Sequence, residues 1–477
     1  MQIAQRFLEL VSQRGERRQT LHRVYRHLLD RELFLRAYTN LTAHPEHAPT
    51  NMPTGATVDE QVFQRIEAIL TQLRAGTYQW QPSRGRSRPN ADTLGADDQL
   101  VQEVLRLVLA AYYEPQGSLY AHWLRPQRDC HTALTAIVRT WQGTHWFIEG
   151  GSAGCFTQID HAHLLPIIAR SINDARLLKL LRGRLAAGSK TAWRDQQPYA
   201  GTPQGDGLGP LLANLYLNEF DAYVATVLLP QYNRGVARKG HPEADDRRLY
   251  YVRYADAFLL GFVGPYAEAE AINAAVTASF TSLALTRTAT KPLITNATTD
   301  TVKFLNYELG MPRNARGQAN GRRTANNTPS LQVPPDIVAR WQRRYQRAGR
   351  PFHRAELLHL SDYAIVATYS AELQGLFTYY ALAHDVVRKL QPVKYACTQS
   401  LVKTLASKHQ KPGAWVWKNY GQHLPTGGSA IVATLTRANQ APLVASCGAA
   451  PLRFTPTARL DDGATCSPQR QAGSSVD

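Results

Sequence analysis

The chain has 477 residues, 44% of them hydrophobic, and carries a formal net charge of +17 with a pI near 9.7. Those values exclude a disordered chain and leave room for two or three domains, each with its own core. No run of 18 apolar residues offers a membrane span, and the excess charge points to nucleic acid, where neutralised phosphates supply most of the affinity. Only 11 of the 54 basic residues are lysines, and none precedes Lys179. Arginine's planar fork suits phosphate contacts and stacking on bases, so the bias fits RNA, although a GC-rich genome would produce it too. The cysteines (Cys130, Cys155, Cys397, Cys447 and Cys466) form no CxxC pair. Their spacing argues against structural zinc and a disulfide scaffold, and for a reducing compartment.

Residues 1–57 predict a helical N-terminal extension, with Ile3, Phe7, Leu8 and Val11 at helical spacing and a Pro/Thr-rich break at 47–57. Its first 30 residues carry Arg6, Arg14, Arg17, Arg18, Arg23 and Arg26 with Glu9 and Glu16. Amphipathic organelle-targeting helices and RNA-binding helices share that pattern. A helix over 58–76 leads to a basic loop at 83–89 that holds Arg84, Arg86 and Arg88, and an apolar helix over 99–113 ends at Glu114-Pro115. Residues 146–149 read as a strand, 160–185 as a helix, and 201–205 as a turn opening a helix over 211–228. A hairpin follows: strand 249–253, the turn Tyr254-Ala255-Asp256-Ala257, and strand 258–262. After an Ala-rich helix over 267–283 come strands near Leu293 and Phe304. Strands interleaved with helices in this order give an α+β layer, not a parallel doubly wound sheet. Residues 309–335 read as a basic linker, where Arg313, Arg316, Arg322 and Arg323 occur among Asn, Gly and Pro without an acid. Residues 336–420 read as helical with a local net charge of +8, and 421–477 as a partly flexible tail with strands at 430–435 and 452–454.

The hairpin puts a carboxylate at its tip, as right-hand polymerases do with their metal-binding aspartates. Phosphoryl transfer there needs two divalent metals roughly 4 Å apart, and Mg²⁺ demands several hard oxygen ligands. One carboxylate cannot hold that pair, and an Asp in a β-turn is common for conformational reasons alone. Its neighbours sharpen the signal. Phe147-Ile148-Glu149-Gly150-Gly151 through Asp160-His161 resembles the first metal-binding motif of group II intron-encoded reverse transcriptases. Residues 202–217, with Pro203-Gln204-Gly205 and Leu212-Ala213-Asn214, resemble the next motif, and Tyr254-Ala255-Asp256-Ala257 resembles the YADD box. Tyr113-Glu114-Pro115, Leu124-Arg125-Pro126 and residues 130–134 resemble the motif upstream. Residues 370–384 and 400–409 look like the maturase domain, domain X, of the same proteins. These motifs span roughly residues 55–420 in family order.

The resemblance implies right-hand polymerase-like fingers and palm over 58–308, followed by an α-helical thumb/maturase domain over 336–420. It implies reverse transcriptase and maturase activities on one chain, the second being help with folding the parent intron for splicing. This sequence departs from the family where metal is bound. Gly151 and Ala257 stand at aspartate positions, and the fingers loop that meets the triphosphate is reduced to residues 84–90. Glu149 lies on the same strand face as Gly151 but about 6–7 Å away, and Asp160 belongs to the following helix, so neither replaces the lost ligands without moving the backbone. The expectation is a degenerate member with no intact catalytic residue: Asp256 is vestigial, the chain holds no metal or other cofactor of its own, and Mg²⁺ enters only with bound RNA. Cys447 and Cys466 do not rebuild the Cys/His endonuclease domain that ends many relatives. His131, His161, His163 and His409 come with no HExxH, Gly-x-Ser-x-Gly or P-loop motif and read as structural or RNA-facing.

The expected partner is structured RNA, a group II intron RNA above all, with no membrane; homodimerisation and other ribonucleoprotein partners stay open. The expected contacts are Arg84, Arg86, Arg88, Arg313, Arg322, Arg323, Tyr379, Tyr380, Lys403 and Lys408. The two tyrosines either stack on unpaired bases or pack in a helical core, and spacing alone does not choose. The mitochondrion is the expected location, with chloroplast and bacterial cytoplasm as alternatives. Two other readings remain: a structural RNA-binding protein of an organellar ribonucleoprotein such as a ribosome, and, least favoured, an active RNA-directed DNA polymerase.

Overall fold

A computed structural model of the chain describes residues 2–43, 60–81, 84–85, 92–93, 95–151, 159–188, 207–234, 246–287, 294–311, 328–424, 428–437, 440–449 and 452–456. Helix α1 (Gln2–Glu16) buries Ala4, Leu8 and Val11 along one stripe, and α2 (Arg31–Ala43), α3 (Glu60–Ala75) and α4 (Ala96–Tyr113) follow. Helix α4 opens with Asp97 and Asp98, where the positive end of the helix dipole favours acids. It gives way to a short 3-10 turn at Glu114–Gln116. Helix α5 (Cys130–Thr140) starts on a capping box: the Thr132 N–H donates to Asp129 at 2.6 Å and the Asp129 N–H to the Thr132 hydroxyl at 2.9 Å.

After strand β1 (Trp146–Gly150), the single helix expected over 160–185 is in fact two, α6 (His161–Ser171) and α7 (Ala175–Gly188). Ile172–Asn173 pairs in parallel with Leu21–His22, and Asp174 caps the second helix, accepting from the N–H groups of Arg176 and Leu177. The apolar periodicity runs through this break, so only the Asp marks it. Helix α8 (Leu208–Tyr223) widens into a π-turn at Val224–Leu228, just before Pro230, which has no N–H to give a regular helix, and ends at Tyr232. Strands β2 (Arg248–Tyr254) and β3 (Ala257–Val263), helix α9 (Tyr266–Ser282) and strand β4 (Ile294–Asn296) complete a four-stranded sheet of order β2-β3-β1-β4.

Strands β5 (Val302–Phe304), β6 (Tyr307–Gly310) and β7 (Ser330–Gln332) form an antiparallel sheet with Leu309 opposite Leu331. The ends of the stretch expected as a linker are therefore strands paired with each other. Helices α10 (Pro335–Tyr345), α11 (Asp362–Tyr379), α12 (Val386–His409) and α13 (Gly413–Tyr420) follow. The chain then forms the antiparallel sheet β8 (Gly421–His423), β9 (Ser429–Arg437) and β10 (Gln440–Cys447). The strand expected at 430–435 lies within β9, that expected at 452–454 is not formed, and β10 was not foreseen. Its Ala, Pro and Ser carry little β propensity; pairing with β9, from Ile431 opposite Cys447 to Leu435 opposite Leu443, supplies what propensity lacks.

The α+β chain divides into two compact units, Met1–Pro126 with Ile148–Leu260 and Gly264–Ile294, and Gln127–Phe147 with Gly261–Val263 and Thr295–Asp477. In the first, Phe220 sits edge-on to Phe280 at 4.8 Å and 5.1 Å from Phe258, all three buried. The second has a tyrosine-rich core. Tyr345 stacks on Tyr369, and each hydroxyl has a partner: Tyr345 donates to Glu372, and Tyr369 meets Ser400 and Thr404 at 2.9 Å. Among the described residues no helix is long and apolar enough to cross a membrane. Cys130, Cys397 and Cys447 are buried free thiols, while Cys155 and Cys466 lie outside the described residues.

Candidate active site and nucleic-acid interface

Strands β2 and β3 meet at the turn Tyr254-Ala255-Asp256-Ala257, where Ala255 takes a left-handed φ of +54°. A non-glycine residue there costs about 1–3 kcal/mol and persists only when its surroundings enforce it. The enforcing group is Arg253. Its guanidinium is buried and grips Asp221 bidentately, at 2.8 and 2.6 Å, while its third nitrogen donates to Asn214 at 3.0 Å and to the Ala255 carbonyl at 2.8 Å. Tyr251 adds a hydrogen bond to Asp221 at 2.6 Å, and the Asn214 amide donates to the Trp123 carbonyl. Helix α8 thus supplies the counter-charge that holds the turn. Asp221 and Arg253 were not singled out from the sequence, although Asn214 stood in a quoted motif.

Gly151 comes up beside this turn. A Cβ placed on it would lie 3.3 Å from the Asp256 carbonyl oxygen and 3.6 Å from Ala257 Cα, so the two substituted positions and the surviving carboxylate are neighbours. The adjacent glycine differs. A Cβ on Gly150 would fall 2.2 Å from the Phe258 ring and 2.8 Å from Arg287 Nε. Packing therefore compels glycine at 150 but not at 151, where a side chain needs only a few tenths of an ångström of give.

The residues present do not fit a polymerase's Mg²⁺ pair. Gly151 and Ala257 offer no side-chain oxygen, and burial holds the Asp256 carboxyl above the usual carboxylate range, against the pull of Arg253. Asp160 is spent as the cap of α6, accepting from the Ala162 N–H at 2.7 Å and pairing with His163 at 2.8 Å. The Glu149 carbonyl accepts from Arg287 at 2.7 Å. Among the described residues no group of three or more His, Cys, Asp or Glu is placed to hold a metal ion.

Of the residues expected to touch RNA, Arg86, Arg88, Arg313, Arg322 and Arg323 lie outside the described residues, and Arg84 is on a two-residue strand, Arg84–Gly85, paired with Asp92–Thr93. Tyr379 and Tyr380 do not present their rings to bases. Both are buried, their hydroxyls donating to the carbonyls of Leu305 at 2.9 Å and Asn306 at 3.1 Å, with Tyr307 packed against both rings. His131 is buried beside them, its Nε2 2.7 Å from the Tyr379 carbonyl. The sequence pattern was that of a core, which burial alone reveals.

Lys408 is not a free cation either. Its ammonium donates to the Leu360 carbonyl at 2.6 Å and to Asp362 at 2.7 Å, tying the end of α12 to the start of α11. His409 and Tyr420 converge on the same carboxylate at 3.0 and 2.6 Å. Burial alone would raise Asp362, but the hydrogen bonds from Lys408 and Tyr420 outweigh it and hold the carboxyl below its ordinary range.

Lys403 is exposed, and its ammonium donates to the Pro351 carbonyl at 2.7 Å. That carbonyl belongs to a small hairpin, Gln346–Arg347 paired with Arg350–Pro351, in which Arg347 and Arg350 are directly opposite each other and both exposed. Arg347 also lies over the Phe352 ring at 4.5 Å. No carboxylate of the described residues forms an ion pair with Arg347, Arg350 or Lys403, so three cations converge without a counter-charge. The two arginines were missed in the sequence; the signal was Arg347-Ala348-Gly349-Arg350, whose middle residues both take positive φ in the tight turn.

Residues 81–309 match the reverse transcriptase (RNA-dependent DNA polymerase) family, and residues 338–439 the type II intron maturase family. The group II intron-encoded protein LtrA of Lactococcus lactis subsp. cremoris is 30% identical over 451 residues, covering 81% of this chain and 75% of that protein. The mitochondrial protein ymf11 of Marchantia polymorpha is 36% identical over 219 residues, 38% of this chain and 28% of its own. Among solved structures, apo telomerase from Candida tropicalis is 10% identical, with a TM-score of 0.34 over 66% of this chain and 50% of that one. The chain belongs to the group II intron-encoded protein family, with a reverse transcriptase domain followed by a type II intron maturase domain.

Proposed function

We propose that this protein is an RNA-binding maturase that stabilises a folded group II intron RNA for splicing and contributes no polymerase chemistry. The observation that carries the reading is the hairpin at 346–351, where Arg347 and Arg350 face each other beside Lys403 within the maturase-matching segment. Like charges set directly opposite across two strands repel. A phosphodiester between them turns that repulsion into charge-assisted hydrogen bonding. A protein that binds the native RNA fold better than misfolded ones shifts the RNA population toward the splicing-competent form. The RNA carries out its own transesterifications, and its Mg²⁺ arrives with it. The substituted positions Gly151 and Ala257 support the absence of polymerisation. Likeness to a mitochondrial protein supports residence in the mitochondrion.

The test is to sequence RNA crosslinked to the protein in its native source, then to splice that RNA in vitro with and without the protein. Crosslinks on an intron and faster splicing with protein are expected. Crosslinks confined to ribosomal RNA, with introns spliced normally after gene deletion, would replace the maturase reading with a structural ribonucleoprotein role. Primer extension with Mg²⁺ or Mn²⁺ should give no cDNA; product that vanishes in Asp256→Ala would restore the polymerase.

A further inference from the structure

Helix α12 buries Leu390, Val393, Cys397 and Leu401 on one side. On the other, residues four apart make one outer ridge: Val387, Gln391, Tyr395, Gln399 and Lys403, of which only Gln399 is half-buried. Tyr395 is 62% exposed. Tyr345, Tyr369, Tyr379 and Tyr380 of the same unit are buried with their hydroxyls bonded, whereas Tyr395 makes no hydrogen bond or ring contact with any described residue. A ring left in water forgoes the burial that stabilises those neighbours. The Gln391 and Gln399 amides, one turn to either side at about 6 Å of rise, bond to no described residue either. The ridge carries no acid and ends in charge. Lys403 is its last member, beside Arg347 and Arg350. Arg388, seven positions before Tyr395, projects within about 20° of it around the helix; its side chain is 81% exposed and 4.0 Å from Asp385. Along the axis Tyr395 and Lys403 are about 12 Å apart, the rise of roughly three to four stacked nucleotides at about 3.4 Å each. An aromatic face among cations, with amides for base edges, is how proteins receive unpaired bases. A duplex keeps its bases stacked on one another and offers none to such a ring.

We propose that Tyr395 stacks on an unpaired base of the bound RNA, with Gln391 and Gln399 at the base edges and the neighbouring phosphates on Arg347, Arg350 and Lys403. The α12 ridge then selects a single-stranded segment beside the site where the hairpin holds the backbone. The inference rests on the RNA-binding reading and adds to it the form of RNA that is taken.

The full chain is titrated by fluorescence anisotropy with two labelled RNAs, an oligouridine of about ten nucleotides, within the span such faces take, and a blunt duplex of the same length. Tyr395→Ala trades an exposed side chain for a good helix former, so folding should persist by thermal melting. It should weaken the single strand about 5- to 150-fold and leave the duplex unchanged. Tyr395→Phe keeps the ring and should keep the wild-type affinity. The salt slope should be the same in all three proteins, because no phosphate contact is removed. The Arg347→Ala, Arg350→Ala, Lys403→Ala triple variant, by contrast, should weaken both RNAs. Wild-type affinity of Tyr395→Ala for the single strand, or equal losses on both RNAs, would overturn the stacking while a weakened triple variant left the RNA-binding reading standing. Tyr395→Phe as weak as Tyr395→Ala would assign the contact to the hydroxyl and overturn it too. A change of oligomeric state in Tyr395→Ala by light scattering, with single-strand affinity intact, would give the ridge to a second copy of the chain. Wild-type protein that bound neither RNA would sink the RNA-binding reading and this inference with it.

Discussion

Replacing Arg347, Arg350 and Lys403 together with alanine removes three charges from one hairpin and little else. The Lys403 ammonium gives up its exposed bond to the Pro351 carbonyl, about 0.5–1.5 kcal/mol. Separating the facing arginines relieves a repulsion of about 0.2–1 kcal/mol. Arg347 also leaves the Phe352 ring it covers at 4.5 Å, about 0.5–1 kcal/mol at an exposed site, so the net loss is about 0–2 kcal/mol and the melting temperature should fall by no more than about 4–8 °C. The effect on RNA is of another size. Each neutralised phosphate contributes about 0.9 to the slope of log K against log salt on a duplex, and about 0.7 on a single strand. Three lost contacts should flatten the slope by about 2 to 3. Between about 50 and 200 mM salt, the wild type should then lose roughly 20- to 40-fold more affinity than the variant. Anisotropy titrations of a labelled intron RNA across that range measure both slopes. A variant slope equal to the wild-type one, with the fold intact, would remove this hairpin from the RNA footprint.

Three further outcomes follow from the packing. Gly150→Ala drives a methyl group into the Phe258 ring and should cost about 1–3 kcal/mol in urea unfolding, whereas Gly151→Ala should cost well under that; equal losses would contradict the geometry of the β1 end. Lys408→Ala breaks charge-assisted bonds to Asp362 and Leu360 and should destabilise by about 1–3 kcal/mol while leaving the salt slope of RNA binding unchanged, so a flattened slope would return Lys408 to the RNA contacts. Asp362 and Glu372 are both held below their ordinary values of 3.8 and 4.5 by cationic and hydroxyl partners that outweigh burial. A lowered folded pKa means stabilisation that is fully present above those values and is lost as pH falls through the lower, folded ones. Asp362→Asn should therefore lose less stability than the wild type on acidification from about pH 5 to pH 3, and parallel curves would refute the assignment.

The palm was legible because its signals are local. A strand, a tight turn and a second strand lie within sixteen residues, and the turn sits where Asp256 placed it. What fixes that turn was not legible, since Arg253 and Asp221 are thirty-two positions apart and meet only once α8 packs behind the hairpin. The aromatic pair in the helical unit shows the opposite limit. Tyr379 and Tyr380 among lysines suit either an RNA face or a core, and only their burial beside Tyr307 decides. Lys403 and Lys408 look alike in sequence, yet one reaches a hairpin carbonyl at the surface and the other is drawn to a carboxylate across a helix junction. Charge counts locate a basic region; they do not say which cations are already engaged.

The room left beside Gly151 bears on how this sequence can change. A glycine or alanine codon ending in a pyrimidine becomes an aspartate codon by one substitution at its middle base. Where the codons at positions 151 and 257 end so, two point mutations would present three carboxylates at one turn. At position 151 the neighbouring backbone, 3.3 Å from an added Cβ, has to yield only slightly. Had side chains grown into that space, as Phe258 has beside Gly150, the route would be closed. With such codons, laboratory selection for divalent-ion-dependent polymerisation has a short path from this gene.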